Sequence, residues 1–317
     1  MNPFEIPYLL RIIFAFLKNT DRTSIFKTCR IFRENYLFVD PMDAVFKCLS
    51  QRNLTLAYKI CLISEQYITF NNQLFFTSVI RGSHDLANIC LKRGCDPSFQ
   101  NNLLIRVASE KSHIQIVEML LSDHRVDPSS SDNNAIITAS QNGNLPLVEK
   151  LLMDPRVDPS ARSNFAIMIA SDNGHLEVVE RLLMDPRVDP SADNNHAIRW
   201  ASYHGHSSVV ERLLMDLRVD PSVYQNSPIG CASSNGHLSV VNRLLQDPRV
   251  DPSDSDNFAI CYASHCGHLS VVERLLMDPR VDPSARNNFA IRYASQYGHL
   301  SVVERLSMNQ RVASTLN

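Results

Sequence analysis

The apolar positions of this chain fall into short helical stripes that recur at a fixed interval. In residues 164–171, "NFAIMIAS", Ile167, Ile169 and Ala170 share one face of a short helix. Gly174 interrupts the pattern, and "HLEVVERLLM" (175–184) resumes it with Leu176, Val179, Leu182 and Leu183 on one side of a second helix. Glu177 and Arg181 stand four apart on the polar side, in the favourable order for a helix pair. Asp185-Pro186 closes the unit, because the residue before a proline is pushed out of the α region. The pattern predicts two antiparallel helices and an extended, proline-bearing connection.

That unit is written many times. Asp-Pro-Ser begins at residues 96, 127, 158, 189, 220, 251 and 282, every interval being 31 residues. Gly-His keeps the same register at 174, 205, 236, 267 and 298, with Gly143-Asn144 in phase. Seven of the nine glycines fall between the two predicted helices, where a left-handed residue ends the first helix at least steric cost. An asparagine column at 72, 102, 133, 164, 195, 226, 257 and 288 suits a helix N-cap or a ladder of turns. One helix pair cannot bury both of its apolar faces, so the copies must stack and share a continuous core.

These units resemble ankyrin repeats, whose period is about 33 residues and whose signature reads TPLHxAA…GHxxVVxLLLxxGAxxN. "NGHLEVVERLLM" (173–184) matches the second half of that signature. In the first half "FAIxxAS" replaces the hallmark, and only "SPIGCAS" (227–233) keeps the Ser/Thr-Pro-aliphatic start. The turn before the first helix is short, which predicts a stubby version of the family's β-hairpin finger. Upstream, "AVFKCLSQRNLTLAYKICL" (44–62) and "LFFTSVIRGSHDLANICLK" (74–92) read as degenerate copies. The resemblance implies an all-α fold: an ankyrin-type helical solenoid of about nine stacked helix pairs with short connecting turns. First helices are expected to start near 44, 74, 104, 135, 166, 197, 228, 259 and 290. The array is expected over residues 41–312, after a helical segment at 1–40 and before a tail at 313–317. Ser307 replaces the second leucine of the last copy, as a polar end cap would.

Composition removes several functions. Lys and Arg number 31 against 33 Asp and Glu, so no basic stripe is available to neutralise nucleic-acid phosphates. No apolar run approaches the length of a membrane span. "IPYLLRIIFAFL" (6–17) is broken by Arg11 and reads poorly as a signal peptide. The cysteines at 29, 48, 61, 90, 95, 231, 261 and 266 form neither paired zinc spacings nor a dense disulfide framework. A reduced, intracellular location is expected, cytoplasmic with the nucleus left open.

The chemistry-bearing residues are absorbed by the repeat. The Gly-His histidines recur about 10 Å apart, too far to share a metal ion bound at about 2 Å, and are expected to be structural. "HCGH" (265–268) beside Cys261 has a zinc-like spacing, but its Gly-His belongs to every copy. "DPRVDPS" lacks the dense oxygen pattern of calcium loops, and its Asp and Arg columns are expected to neutralise one another along the stack. No phosphate loop, GxSxG or nucleophile–base pair stands out. The expectation is a monomeric protein that is not an enzyme and uses no cofactor or metal.

What varies is the end of the first helix: Gln141-Asn142, Asp172-Asn173, Tyr203-His204, Ser234-Asn235, His265-Cys266 and Gln296-Tyr297. The resemblance implies that such positions line a concave face on which the family binds proteins. The candidate binding residues are Arg199, Tyr203, His204, Asn235, His265, Arg292, Gln296 and Tyr297. The slot of Trp200, Tyr262 and Tyr293 reads either as lining or as core between repeats.

Residues 6–36, "IPYLLRIIFAFLKNTDRTSIFKTCRIFRENY", resemble an F-box through Pro7, Leu10, Ile13, Phe16, Leu17, Asp21, Cys29, Arg30 and Phe32. That resemblance implies docking, through Pro7, Leu10, Ile13, Leu17 and Phe32, onto the adaptor subunit of a cullin-type ubiquitin ligase. The array would then select the substrate. The alternatives are that residues 1–40 only cap the first repeat, and that the protein is a free-standing binder.

Overall fold

A computed structural model describes residues 70–316, together with Phe46, Cys48, Thr55, Ala57 and Tyr58. The F-box-like segment, and with it Pro7, Leu10, Ile13, Leu17 and Phe32, lies outside the described residues. Among the described residues every regular element is helical.

The chain divides at Ser130 into two units. In the first, α1 (Asn72–Arg81) pairs with α2 (His84–Lys92), and α3 (Phe99–Glu110) with α4 (Ile114–Leu121). The second holds the pairs α5 (Ser130–Gln141) and α6 (Leu145–Leu152), α7 (Ala161–Asp172) and α8 (Leu176–Leu183), and α9 (Ala192–His204) and α10 (Ser207–Leu214). It continues with α11 (Val223–Ser234) and α12 (Leu238–Leu244), α13 (Asp254–His265) and α14 (Leu269–Leu275), and α15 (Ala285–Gln296) and α16 (Leu300–Ser307). A last helix, α17 (Gln310–Leu316), runs past residue 312. The copy read at 44–62 touches the described residues only at five helical positions, of which Cys48 and Ala57 are buried.

Second helices bury a narrower stripe than their spacing predicts. In α8 the core residues are Val178, Val179 and Leu182, whereas Leu176 and Leu183 are half-buried. Leu176 opens the helix and Leu183 closes it, so both sit at the rim of an eight-residue element. The ion pair on the polar side crosses between units, with Arg243 Nη2 2.6 Å from Glu211 Oε1. In α7, Ala166, Ile167, Ala170 and Ser171 are buried and Ile169 is half-buried. The small columns of Ala170 and Ser171 and their equivalents let first helices approach closely. Within residues 131–317 consecutive first helices make closer contact with one another than consecutive second helices do.

The connection is not a hairpin finger. Three consecutive residues of each unit from α3 onward, such as Arg162, Ser163 and Asn164, take left-handed backbone angles before the right-handed helix begins. Such angles cost about 1–2 kcal/mol for a residue with a Cβ, so something must offset them. The asparagine column does so as a ladder of turns rather than as N-caps. Asn133, Asn164, Asn195, Asn226 and Asn257 are buried, and each Oδ1 accepts the backbone N–H of the Asp 25 residues on at 2.6–2.8 Å. That Asp then accepts from the N–H and hydroxyl of its Ser, as Asp158 does from Ser160. Each left-handed turn thereby holds the turn of the next unit.

The other acid of "DPRVDPS" works inside its own turn. Arg187 donates Nε and Nη2 to both oxygens of Asp185 at 2.9 and 2.7 Å. Its Nη1 reaches back to the carbonyl of Val157 in the preceding unit at 2.9 Å. The expected Asp–Arg neutralisation along the stack is therefore replaced by a local pair and a backbone contact. Arg218, Arg249 and Arg280 repeat this arrangement.

Gly174 shows why glycine stands between the helices. It ends α7 at φ +75°, and His175 N–H closes the cap on the Ala170 carbonyl. A Cβ built on Gly174 would lie 2.5 Å from Nδ1 of His206, in the next unit. The imidazole of His206 fills that hole, and its Nε2 donates to the carbonyl of Asp172 at 2.9 Å. His175, His237, His268 and His299 do the same to Gln141, Tyr203, Ser234 and His265 at 2.9–3.0 Å. The Gly-His histidines are structural, and they join consecutive units.

The turn pairs set the acid response. Hydrogen bonds from the partner guanidinium hold Asp154, Asp185, Asp216, Asp247 and Asp278 below the ordinary aspartate value of 3.8, and Asp123 at about 2. A carboxyl group with a lowered folded pKa adds stability that is complete above the unfolded value and lost as pH falls through the folded one. Chemical denaturation is thus expected to show stability falling from about pH 4 toward about pH 2. Asp216→Asn keeps an acceptor oxygen but removes the charge. It should lower stability at neutral pH and flatten that slope; an unchanged slope would show that the pair does not contribute.

Candidate functional site

The candidate residues lie on or at the ends of the first helices of residues 131–317, with two aromatic groups among them. On α9, Trp200 is 38% exposed and Tyr203 43% exposed. The ring of Trp200 stacks on His196 and on His204 at centroid distances of 5.5 and 5.9 Å, and Tyr203 meets His204 edge-on at 4.9 Å. The second group joins α13 to α15. His265 lies 4.6 Å from the ring of Tyr297, which is 55% exposed, and Tyr293 stacks on Phe289 at 4.0 Å. Trp200 is therefore lining, while Tyr262 and Tyr293 are half-buried and contact aromatic neighbours along and between helices.

Several predicted binding residues have work inside the chain. Arg199 donates from Nε to the Asn194 carbonyl at 3.0 Å and from Nη2 to that of Asp193 at 3.2 Å. Its guanidinium also lies over the ring of Tyr224 at 5.2 Å. Arg292 donates to the Asn287 carbonyl at 3.2 Å, so both arginines satisfy carbonyls of their own left-handed turn. Asn235 turns its amide back onto the Cys231 carbonyl at 2.9 Å. His204 Nε2 lies 3.1 Å from Asp172 Oδ1 of α7, without the alignment of a hydrogen bond. Among the candidates, Tyr203, His204, Arg292, Gln296 and Tyr297 are exposed. The structure brings His265 and Tyr297 together and leaves Tyr203 three helix pairs away from Tyr297.

Two lining residues escaped the sequence reading. Tyr224, 59% exposed, occupies the first left-handed position of its unit, and His196 stacks under Trp200. The signal for Tyr224 was its column, which elsewhere holds Gln100, Ser131, Arg162, Asp193, Ser255 and Arg286.

The zinc-like "HCGH" does not assemble. His268 is committed to the Ser234 carbonyl, and burial pushes the Cys261 thiol up to about 11, away from the thiolate a metal needs. Among the described residues no group of three or more His, Cys, Asp or Glu side chains is placed to hold a metal ion. No helix among them is long and apolar enough to cross a membrane.

Stacked helix pairs with a constant frame and a changing lining define a repeat scaffold for protein–protein interaction. The family model of ankyrin repeats in three copies matches residues 74–163, 136–225, 167–256 and 229–315, and the chain belongs to the ankyrin repeat family. Members of that family are typically interaction scaffolds rather than enzymes. No curated protein matches the chain.

Proposed function

We propose that the first-helix face of the array selects a protein partner and that residues 1–40 present the array to the adaptor subunit of a cullin-type ubiquitin ligase. The protein is then a cytoplasmic, monomeric substrate receptor. One observation carries the binding face: exposed Trp200, Tyr203 and Tyr297 depart from a frame that is otherwise copied from unit to unit. Aromatic rings with a polar edge give large contact area at low entropic cost, and interfaces are enriched in them. The ligase role rests on the F-box-like order of Pro7, Leu10, Ile13 and Leu17, followed by Cys29-Arg30 and Phe32. A plain cap has no need of that closing motif.

Tyr203→Ala combined with Tyr297→Ala is expected to weaken the native partner at least about tenfold, roughly 1.4 kcal/mol, with an unchanged melting curve. Equal loss from altering Arg162 and Arg286, on the exposed turns, would move the site to that edge. The full chain is expected to retain the ligase adaptor in a pull-down, and Ile13→Glu should abolish retention while the helical circular dichroism stays the same. A full chain that binds its partner and never retains the adaptor is a free-standing binder.

A further inference from the structure

Helix α2 ends unlike the other second helices, on Gly94, one of the two glycines outside the column between the helices. Gly94 takes φ +86° and its N–H bonds the Leu91 carbonyl, while the N–H of Cys95 bonds the Cys90 carbonyl, both at 3.1 Å. Those nested bonds are the cap in which the residue after the glycine packs on the third residue from the helix end. Here both partners of that contact are cysteines. In every later repeat the equivalent core positions hold leucine and valine, as Leu182 and Val188 do. We propose that Cys90 and Cys95 form a redox site, a thiol pair that a small-molecule disulfide converts into an intrachain bridge.

The two sulfurs are neighbours before any oxidant arrives. Both residues are buried free cysteines, Cys90 fully and Cys95 5% exposed. Residues bonded backbone to backbone meet the short Cα separation of about 4.4–6.8 Å that a disulfide requires. The Cys95 thiol is also hydrogen-bonded to that of Cys90. Burial pushes the Cys95 thiol above its ordinary pKa, and the bond from Cys90 opposes that rise. Because the thiolate is the attacking species, closure is slow in the shut fold and waits for the helix end to open. Such a pair stays as thiols in a reducing compartment and closes only under oxidation.

Exchange runs through two displacements. The thiolate of Cys95, the less buried of the two, attacks one sulfur of the small disulfide and releases the other half as a thiolate. The Cys90 thiolate then attacks the Cys95 sulfur, breaks the mixed bond and releases the second half. The protein gives up two electrons and two protons, and the small disulfide takes up both to become two thiols. Excess small thiol reverses each step. The bridge pins the cap of α2 directly before Asp96, whose N–H bonds Asn72 Oδ1 at 3.1 Å. Oxidation therefore fixes the point at which one turn is handed to the next.

The full chain is equilibrated in mixtures of reduced and oxidised glutathione, its remaining thiols are blocked with iodoacetamide, and its peptides are mapped by mass. Cys90 and Cys95 are expected to lose alkylation together and to appear as one linked species, two hydrogens lighter than the dithiol. Dithiothreitol should restore both thiols. Cys266 is exposed, so its mixed disulfide with glutathione shows that the oxidant was active. Cys95→Val installs the residue of the other repeats and should keep the helical circular dichroism while Cys90 forms no bridge. If that variant misfolds, Cys95→Ser serves instead, with the same result expected. No linked species while Cys266 is glutathionylated would overturn the proposal. So would a bridge from either residue to any other cysteine, or glutathione held on Cys95 without release by Cys90.

Discussion

The array depends on one interlock between neighbours. A glycine at positive φ ends the first helix of one unit, and the missing Cβ leaves a hole that the next unit's histidine fills with its ring. The same imidazole donates to a carbonyl at the end of that first helix, and its residue starts the following helix. The glycine removes steric cost for its own turn and makes room for its neighbour, so the pair couples local geometry to stacking. Gly298 marks the edge of this logic, since a Cβ there would meet no atom within 4 Å.

Two further ladders run beside it. The asparagine carboxamides tie each left-handed turn to the next, and the Arg187 class of side chains reaches from one turn to the valine carbonyl of the one before. Each contact satisfies a backbone group that would otherwise be buried without a partner, which costs about 1–3 kcal/mol. Together they offset the three left-handed residues of each unit from α3 onward. With the frame held by backbone-directed contacts, lining positions such as Tyr203 and Tyr297 are released from structural duty. Tyr203 and Tyr297 vary because nothing in the frame depends on them.

Much of this was legible in the chain because the period exposes it. The helix pairs, the glycine position and the structural role of the Gly-His histidines follow from spacing and backbone preference alone. Other features were hidden because their partners lie 25, 30 or 34 residues away. Local propensity offers an N-cap for Asn164, and only the stacked neighbour turns it into a ladder. No preference scale expects Arg162 and Ser163 to be left-handed. Arg199 and Arg292 look like free binding residues in sequence, yet each closes carbonyls of a turn whose geometry the sequence did not reveal. Leu176 and Leu183 satisfied the helical stripe, but the shortness of α8 put them at its rim and gave the core to Val178. For the lining, the columns show which positions vary, but not that the Phe258 ring lies where a Gly230 Cβ would be.

The interlock is tested most directly by a double-mutant cycle at one interior copy, Gly236 with His268, in urea unfolding of the full chain. A Cβ on residue 236 would meet Nδ1 of His268 at 2.6 Å, so Gly236→Ala should be strongly destabilising. His268→Ala should be destabilising as well, through the lost bond to Ser234. If the two residues form one device, the double variant is less unstable than the sum of the singles by about 1 kcal/mol or more, because removing the ring relieves the clash. Additivity within about 0.5 kcal/mol would show that glycine and histidine act independently, and would contradict the account.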